Sequence, residues 1–194
     1  MNKQILGILE GLKTIKKELV SETKARFLSI QTYKCILNNG KTITREKLIK
    51  GGKDGSAAII FPITEEGKVL LAVEPRVFTK ETVDIGLPAG YIEENEDASV
   101  AAKRELLEET GYEADTLIPL GAFYQDQGCS GAYNHYFLAL NCRKVCDQHL
   151  DKDEFIEYIL VDIDLLDELI DNNIINGLNS AYAIEKGKRY LKEM

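Results

Sequence analysis

The sequence predicts an α/β or α+β sandwich in which helices flank a mixed β-sheet. Three observations predict it. Short, strand-like apolar runs follow one another from residue 57 onward. Three helical patterns are interleaved with them. The composition, 44% hydrophobic and 29% charged over 194 residues, is that of a globular chain and excludes disordered or fibrous classes. This length suits one domain, or one domain with an arm, and buries a core without cross-links.

The elements follow in order. Ile5, Ile8, Leu9, Leu12, Ile15 and Leu19 fall on helical spacing and predict an amphipathic helix over residues 3–20. Residues 27–37 alternate as a strand, Asn38-Asn39-Gly40 supplies a tight hairpin turn, and residues 42–49 return. Gly51 to Gly55 reads as a glycine-rich linker. It divides an N-terminal arm, 1–50, from a main domain, 51–194. Beyond it, strands are predicted over 57–63, 68–74, 117–124, 135–141 and 157–162. Helices are predicted over 97–110, 165–170 and from 175 to near the C-terminus.

Charge and cysteine usage narrow the class. Twenty-four basic against thirty-two acidic side chains give a formal charge of −8, which repels nucleic-acid backbones, so no nucleic-acid partner is expected. No run of 18 apolar residues is present and no membrane association is expected. The segment Met1–Leu12 carries Glu10 and lacks a small-residue cleavage site, so a cytoplasmic protein is expected. Cys35, Cys129, Cys142 and Cys146 then read as free thiols. Cys142, Cys146 and His149 lack the second ligand pair that a zinc site needs.

The chemistry concentrates in residues 86–112, GLPAGYIEENEDASVAAKRELLEETGY. An acidic run is ordinarily a solvated helix face, but the spacing here argues otherwise. Asp97 or Asn95 can cap a helix that Gly111 ends. At about 100° per residue, Glu105, Glu108 and Glu109 share an arc of roughly 100°. Carboxylates so placed repel one another unless cations sit among them, and hard oxygen donors suit magnesium or manganese. Arg104, with Glu96 eight positions earlier, can hold carboxylates bidentately. Pro88-Ala89-Gly90 makes a rigid loop whose backbone can approach a ligand. Ala98, Ala102 and Leu106 lie near one face and Val100 and Leu107 near the other, which predicts a helix packed on two sides.

This pattern resembles the Nudix box. Its fixed places are filled by Gly90, Glu96, Arg104, Glu105, Glu108, Glu109 and Gly111, with Leu106 and Tyr112 at apolar places. A chance match is on the order of 10^-8 per register. The resemblance implies a Nudix-type α/β/α sandwich that hydrolyses a nucleoside diphosphate linked to another moiety. It implies two to three Mg2+ or Mn2+ ions per site, with Glu105 and Glu109 as main ligands. Glu108 would be a further ligand or the base, and the Ala89 carbonyl an added ligand. Arg104 would orient the glutamates with Glu96.

Beyond the box, AAIIFPITEEGKVLLAVEPR and the Leu87–Gly90 entrance resemble the ADP-ribose pyrophosphatase group. By that resemblance Arg76 and the Gly90 backbone contact substrate, and Glu154, in the acidic loop 150–157, is a base or metal ligand. Gln127 stands where the group carries a proline, so the loop that contacts the terminal ribose is expected to differ. The resemblance also implies a homodimer with an exchanged arm, whose aromatics, Tyr33 and Phe27, stack the base. ADP-ribose or another ADP-sugar is the first-choice substrate, giving AMP and a sugar phosphate. GDP-mannose, diadenosine polyphosphates, NADH and a short RNA cap remain open, as does a non-catalytic nucleotide sensor.

Overall fold

A computed structural model describes Ile8, Leu12 and residues 14–51 and 54–193. The chain forms two compact units, one of residues 1–55 with 124–132, the other of 56–123 with 133–194.

The first unit carries a three-stranded antiparallel sheet. Strand β1 spans Thr14–Lys24, β2 Ser29–Leu37 and β3 Thr42–Ile49. Strand β2 is central, with Glu18 opposite Lys34 on one side and Cys35 opposite Ile43 on the other. The β2–β3 turn is the expected one, with Gly40 at φ 81° and its N–H donating to the Leu37 carbonyl at 2.9 Å. The helix expected over 3–20 needs correction. Ile8 and Leu12 are helical, residues 1–7, 9–11 and 13 lie outside the described residues, and 14–20 are strand. Thr14, Ile15 and Val20 are β-branched and favour the extended backbone. Pairing to β2 therefore overrides the helical spacing. Residues 125–132 close on this unit through Leu48, whose N–H donates to the Cys129 carbonyl at 2.7 Å. The expected linker lies partly outside the described residues, at 52 and 53.

The second unit is an α/β sandwich around a seven-stranded mixed sheet. Its strands are β4 (Ala57–Thr64), β5 (Lys68–Pro75), β6 (Val83–Gly86) and β7 (Ala89–Tyr91). They continue with β8 (Tyr112–Tyr124), β9 (Tyr133–Lys144) and β10 (Glu157–Asp162). The order is β10-β5-β4-β9-β8, with β6 on β5 and β7 on β4. Strands β4 and β9 run parallel and β5 pairs antiparallel with β4, β6 and β10, which makes the sheet mixed. Three helices complete the unit, α1 (Ala98–Thr110), α2 (Leu165–Asp171) and α3 (Leu178–Glu193).

Strand alternation sorts the core into two layers. Ile59 and Phe61 of β4, with Tyr136 and Leu138 of β9, join Leu166, Ala183 and Ile184 of α2 and α3. Ala58 and Ile60, with Phe137 and Ala139, join Ala101, Ala102 and Leu106 of α1. The alanines let α1 lie close to the sheet. The expectation that α1 packs on two sides fails. Val100 is 55% exposed and Leu107 only half-buried, so among the described residues the packed apolar face of α1 is the one against the sheet.

Candidate active site

Helix α1 is built as the sequence predicts. Asp97 caps its start, accepting the Ser99 N–H at 2.8 Å. Gly111 ends it at φ 72°, and its N–H donates to the Leu107 carbonyl at 2.7 Å. A side chain at Gly111 would both strain that backbone and meet the Cys146 carbonyl oxygen at 2.1 Å.

The loop that enters α1 is pinned at three points. The Leu87 N–H donates to Ser180 Oγ of α3 at 3.0 Å, the Ile60 N–H donates to the Pro88 carbonyl at 3.0 Å, and Gly90 pairs with Ala58. Gly90 has to be glycine because of what lies against it. A Cβ there would stand 2.0 Å from Glu105 Cδ and 2.2 Å from both Glu105 carboxylate oxygens.

Arg104 gathers the carboxylates. Its Nε donates to Glu96 Oε1 and its Nη2 to Glu96 Oε2, both at 3.0 Å, in a bidentate pair. Its Nη1 donates to Glu105 Oε1 at 2.6 Å and to Glu108 Oε2 at 3.0 Å. Nη2 also reaches the Tyr91 carbonyl at 3.0 Å. The Arg104 hydrogen bonds hold the Glu96 carboxyl below the usual range, and the Glu93 N–H adds to that at 2.9 Å.

Glu105 and Glu109 differ from Glu96. Both are buried, and burial, their largest perturbation, raises Glu105 to about 7 and Glu109 to about 9. The Ala89 N–H, at 3.1 Å, supports the Glu109 charge, and Glu105, Glu74 and Glu154 repel it. Glu108 is more exposed than either. Two buried carboxylates with a third beside them form an all-oxygen donor set short of positive charge, and a hard divalent cation fits it. As arranged, Arg104 and the Ala89 N–H take these oxygens. Among the described residues no three acidic, histidine or cysteine side chains already converge on one metal position.

The remaining predicted residues divide. Glu154 is exposed on the 151–156 loop, yet its charge acts on Glu74, Glu105 and Glu109. It is held in a local turn, with its Oε2 accepting the Asp151 N–H at 3.0 Å. Arg76, at the end of β5, is paired with Glu74. Ala89 meets Glu109 through its N–H. Tyr33 and Gln127 belong to the first unit. The Tyr33 hydroxyl donates to Gln31 Oε1 at 2.7 Å, and Gln127 is exposed in a turn whose neighbours Gly128 and Cys129 bond Asp126. All four cysteines are free.

The sequence reading missed Glu74 as an ionisable neighbour of the cluster. Burial raises its carboxyl, with Asp84 and Glu154 adding to the effect and Arg76 opposing it. It also missed the partners of the last turn of α1. The Glu108 carbonyl accepts the His149 N–H at 2.8 Å, the Glu109 carbonyl accepts Gln148 Nε2 at 2.5 Å, and the Thr110 carbonyl accepts Lys144 Nζ at 2.9 Å. Residues 142–149, weighed above for zinc, serve here as a helix cap.

The raised carboxyls fix a pH dependence. Folded Glu105 and Glu109 keep protons that the unfolded chain, near 4.5, has released. Metal-free stability therefore falls as pH rises from that value toward about 9. A bound cation takes over from the proton, so Mg2+ is expected to raise Tm more at about pH 8.5 than at about pH 6. Thermal denaturation with magnesium and with chelator checks this, and an equal gain at both values would contradict it.

The second unit is an α/β sandwich whose helix α1 carries buried carboxylates beside Arg104, and comparison with known proteins gives the family. The NUDIX domain profile matches residues 53–177, and the chain belongs to the Nudix family. It is 33% identical over 174 residues to an ADP-ribose pyrophosphatase of Bacillus subtilis (strain 168), spanning 89% of this chain and 90% of that one. It is 32% identical over 160 residues to a methanol dehydrogenase activator of Bacillus methanolicus, spanning 82% and 83%. A crystal structure of an ADP compounds hydrolase superposes with a TM-score of 0.77 at 20% identity, over 94% of this chain and 95% of that chain, which shows the shared fold.

Proposed function

We propose that this chain hydrolyses the pyrophosphate bond of ADP-ribose or another ADP-sugar to AMP and a sugar phosphate. The observation that carries this reading is the box carboxylate set, with Glu96, Glu105 and Glu108 held by Arg104, Glu105 against Gly90, and Glu109 on the Ala89 N–H. Similarity to an ADP-ribose pyrophosphatase along 89% of the chain supports it.

Glu105, Glu109, Glu108 and the Ala89 carbonyl would hold two to three Mg2+ or Mn2+ ions. When bound, these cations neutralise phosphate oxygens and lower the pKa of water. The protein's own groups do the rest. Arg104 and Glu96 fix the rotamers of the box glutamates, and burial keeps water away from Glu109. Arg76 offers a guanidinium to a phosphate oxygen. The Gly90 backbone, Tyr33 and Gln127 are substrate contacts by family resemblance. Water attacks one phosphorus, the bond from that phosphorus to the bridging oxygen breaks, and the proton of the water passes to Glu154 or Glu108. Residues 1–50 act as a dimerisation arm and 51–194 as the catalytic domain of a cytoplasmic homodimer. No helix among the described residues is long and apolar enough to cross a membrane.

A coupled phosphatase assay tests the reading on ADP-ribose, GDP-mannose, diadenosine polyphosphates and NADH, with magnesium and with chelator. Magnesium-dependent turnover that is fastest on ADP-ribose is expected, from a sample that light scattering sizes as a dimer. A different preferred substrate would relocate specificity to the Gln127 loop. Nucleotide binding without turnover would make the chain a sensor, and a monomer would remove the arm's role.

A further inference from the structure

Gln148 stands between two pieces of the candidate site. Its Nε2 donates to the Glu109 carbonyl at 2.5 Å and also to the Ile156 carbonyl at 3.0 Å. The first acceptor lies in the last turn of α1, on the residue whose side chain is the most strongly perturbed carboxyl of the cluster. The second ends the loop that carries Glu154, and Ile156 itself is only 6% exposed, so that end of the loop is anchored in the core.

The four carbonyls that a helix leaves open at its C-terminus are all satisfied in α1. Leu107 is served by Gly111, Glu108 by His149, Glu109 by Gln148 and Thr110 by Lys144. A cap alone would need only one hydrogen bond from Gln148. The second bond joins the helix end to a different segment.

We propose that Gln148 is a positioning residue. Its amide is a strut that sets the separation between the metal-binding face of α1 and the loop bearing Glu154. Among the described residues, the hydrogen bond that anchors the Glu154 side chain is the one from Asp151 in its own turn. Its reach toward Glu105 and Glu109 therefore depends on where residues 151–156 are held. The catalytic consequence rests on the function proposed above, whereas the strut itself does not.

Gln148→Met keeps the volume and removes both donors. Gln148→Asn keeps an amide too short to serve both carbonyls. Hydrogen exchange reads the strut without any turnover. In Gln148→Met the amides of residues 151–156 and those near the end of α1 are expected to exchange faster together. In a protein that hydrolyses ADP-ribose, kcat is expected to fall about tenfold with KM within about twofold. In a Glu154→Gln background the same change should cost much less, since the position of the base no longer matters. Gln148→Asn should show the same loosening in smaller measure, which covers the case in which the methionine variant does not fold.

Faster exchange at the helix end alone, or a lowered Tm with unchanged kcat, would reduce Gln148 to a helix cap and overturn the proposal. A loss of equal size in the Glu154→Gln background would overturn it too. A wild-type chain inactive on every substrate would overturn the proposed function, while the exchange data still decide the strut.

Discussion

Glu109→Gln is expected to lower kcat by about 10^3-fold, ~4 kcal/mol of transition-state stabilisation, while making the metal-free protein more stable at about pH 8. The two effects come from one cause. Glu109 is 5% exposed, and burial raises its carboxyl to about 9. Its charged form is costly in the folded chain unless a cation shares the site. Glutamine keeps the shape and can still accept the Ala89 N–H through its carbonyl oxygen, but it carries no charge to bind metal. Steady-state kinetics and thermal denaturation with and without magnesium read both effects. Tm should rise in chelator, and the stabilisation by Mg2+ should shrink. Retained turnover would show that Glu109 is not a metal ligand. A lower metal-free Tm would show that its carboxyl serves the fold in some other way.

The second large effect is at Arg104. Its guanidinium contacts Glu96, Glu105, Glu108 and the Tyr91 carbonyl. Arg104→Ala leaves those carboxylates with no cation among them. Breaking a buried ion pair costs about 3–5 kcal/mol. The Arg104 side chain is 27% exposed, so about 2 kcal/mol is expected. Turnover should fall by roughly 10^2, because partners behind metal ligands contribute on that scale. Arg104→Lys should recover part of the stability and little of the rate, since an ammonium cannot span both Glu96 oxygens. Denaturant titration and kcat for both variants check this. A lysine variant with wild-type kcat would show that charge alone suffices.

The box was legible because its information is local. The spacing of Glu105, Glu108 and Glu109 along one helix is written in sequence separation, and the structure puts Glu105 and Glu108 on Arg104 and Glu109 on the Ala89 N–H. Strands β3 and β10 fall on their predicted bounds, and most other ends move by only a few residues. Two readings failed where distant partners decide. Residues 14–20 combine a helical spacing with β-branched side chains, and pairing with β2 settles it. Val100 looked like part of a second buried face, but among the described residues it stays 55% exposed. Gln148 gave no signal because a glutamine with two backbone acceptors, one of them thirty-nine residues away, resembles any loop glutamine.

The capping of α1 has a consequence for the order in which the site can be made. A chain emerging from the ribosome presents residues 98–110 well before Lys144, Gln148 and His149 exist. Until they arrive, the carbonyls of Glu108, Glu109 and Thr110 have only water as partner. The last turn of the glutamate-bearing helix therefore lacks its protein partners until synthesis passes residue 149. A chain halted before that point has every box glutamate but not the hydrogen bonds that hold the last two in place. Nascent fragments should thus gain tight divalent binding abruptly, with the segment after β9, rather than gradually along the box itself.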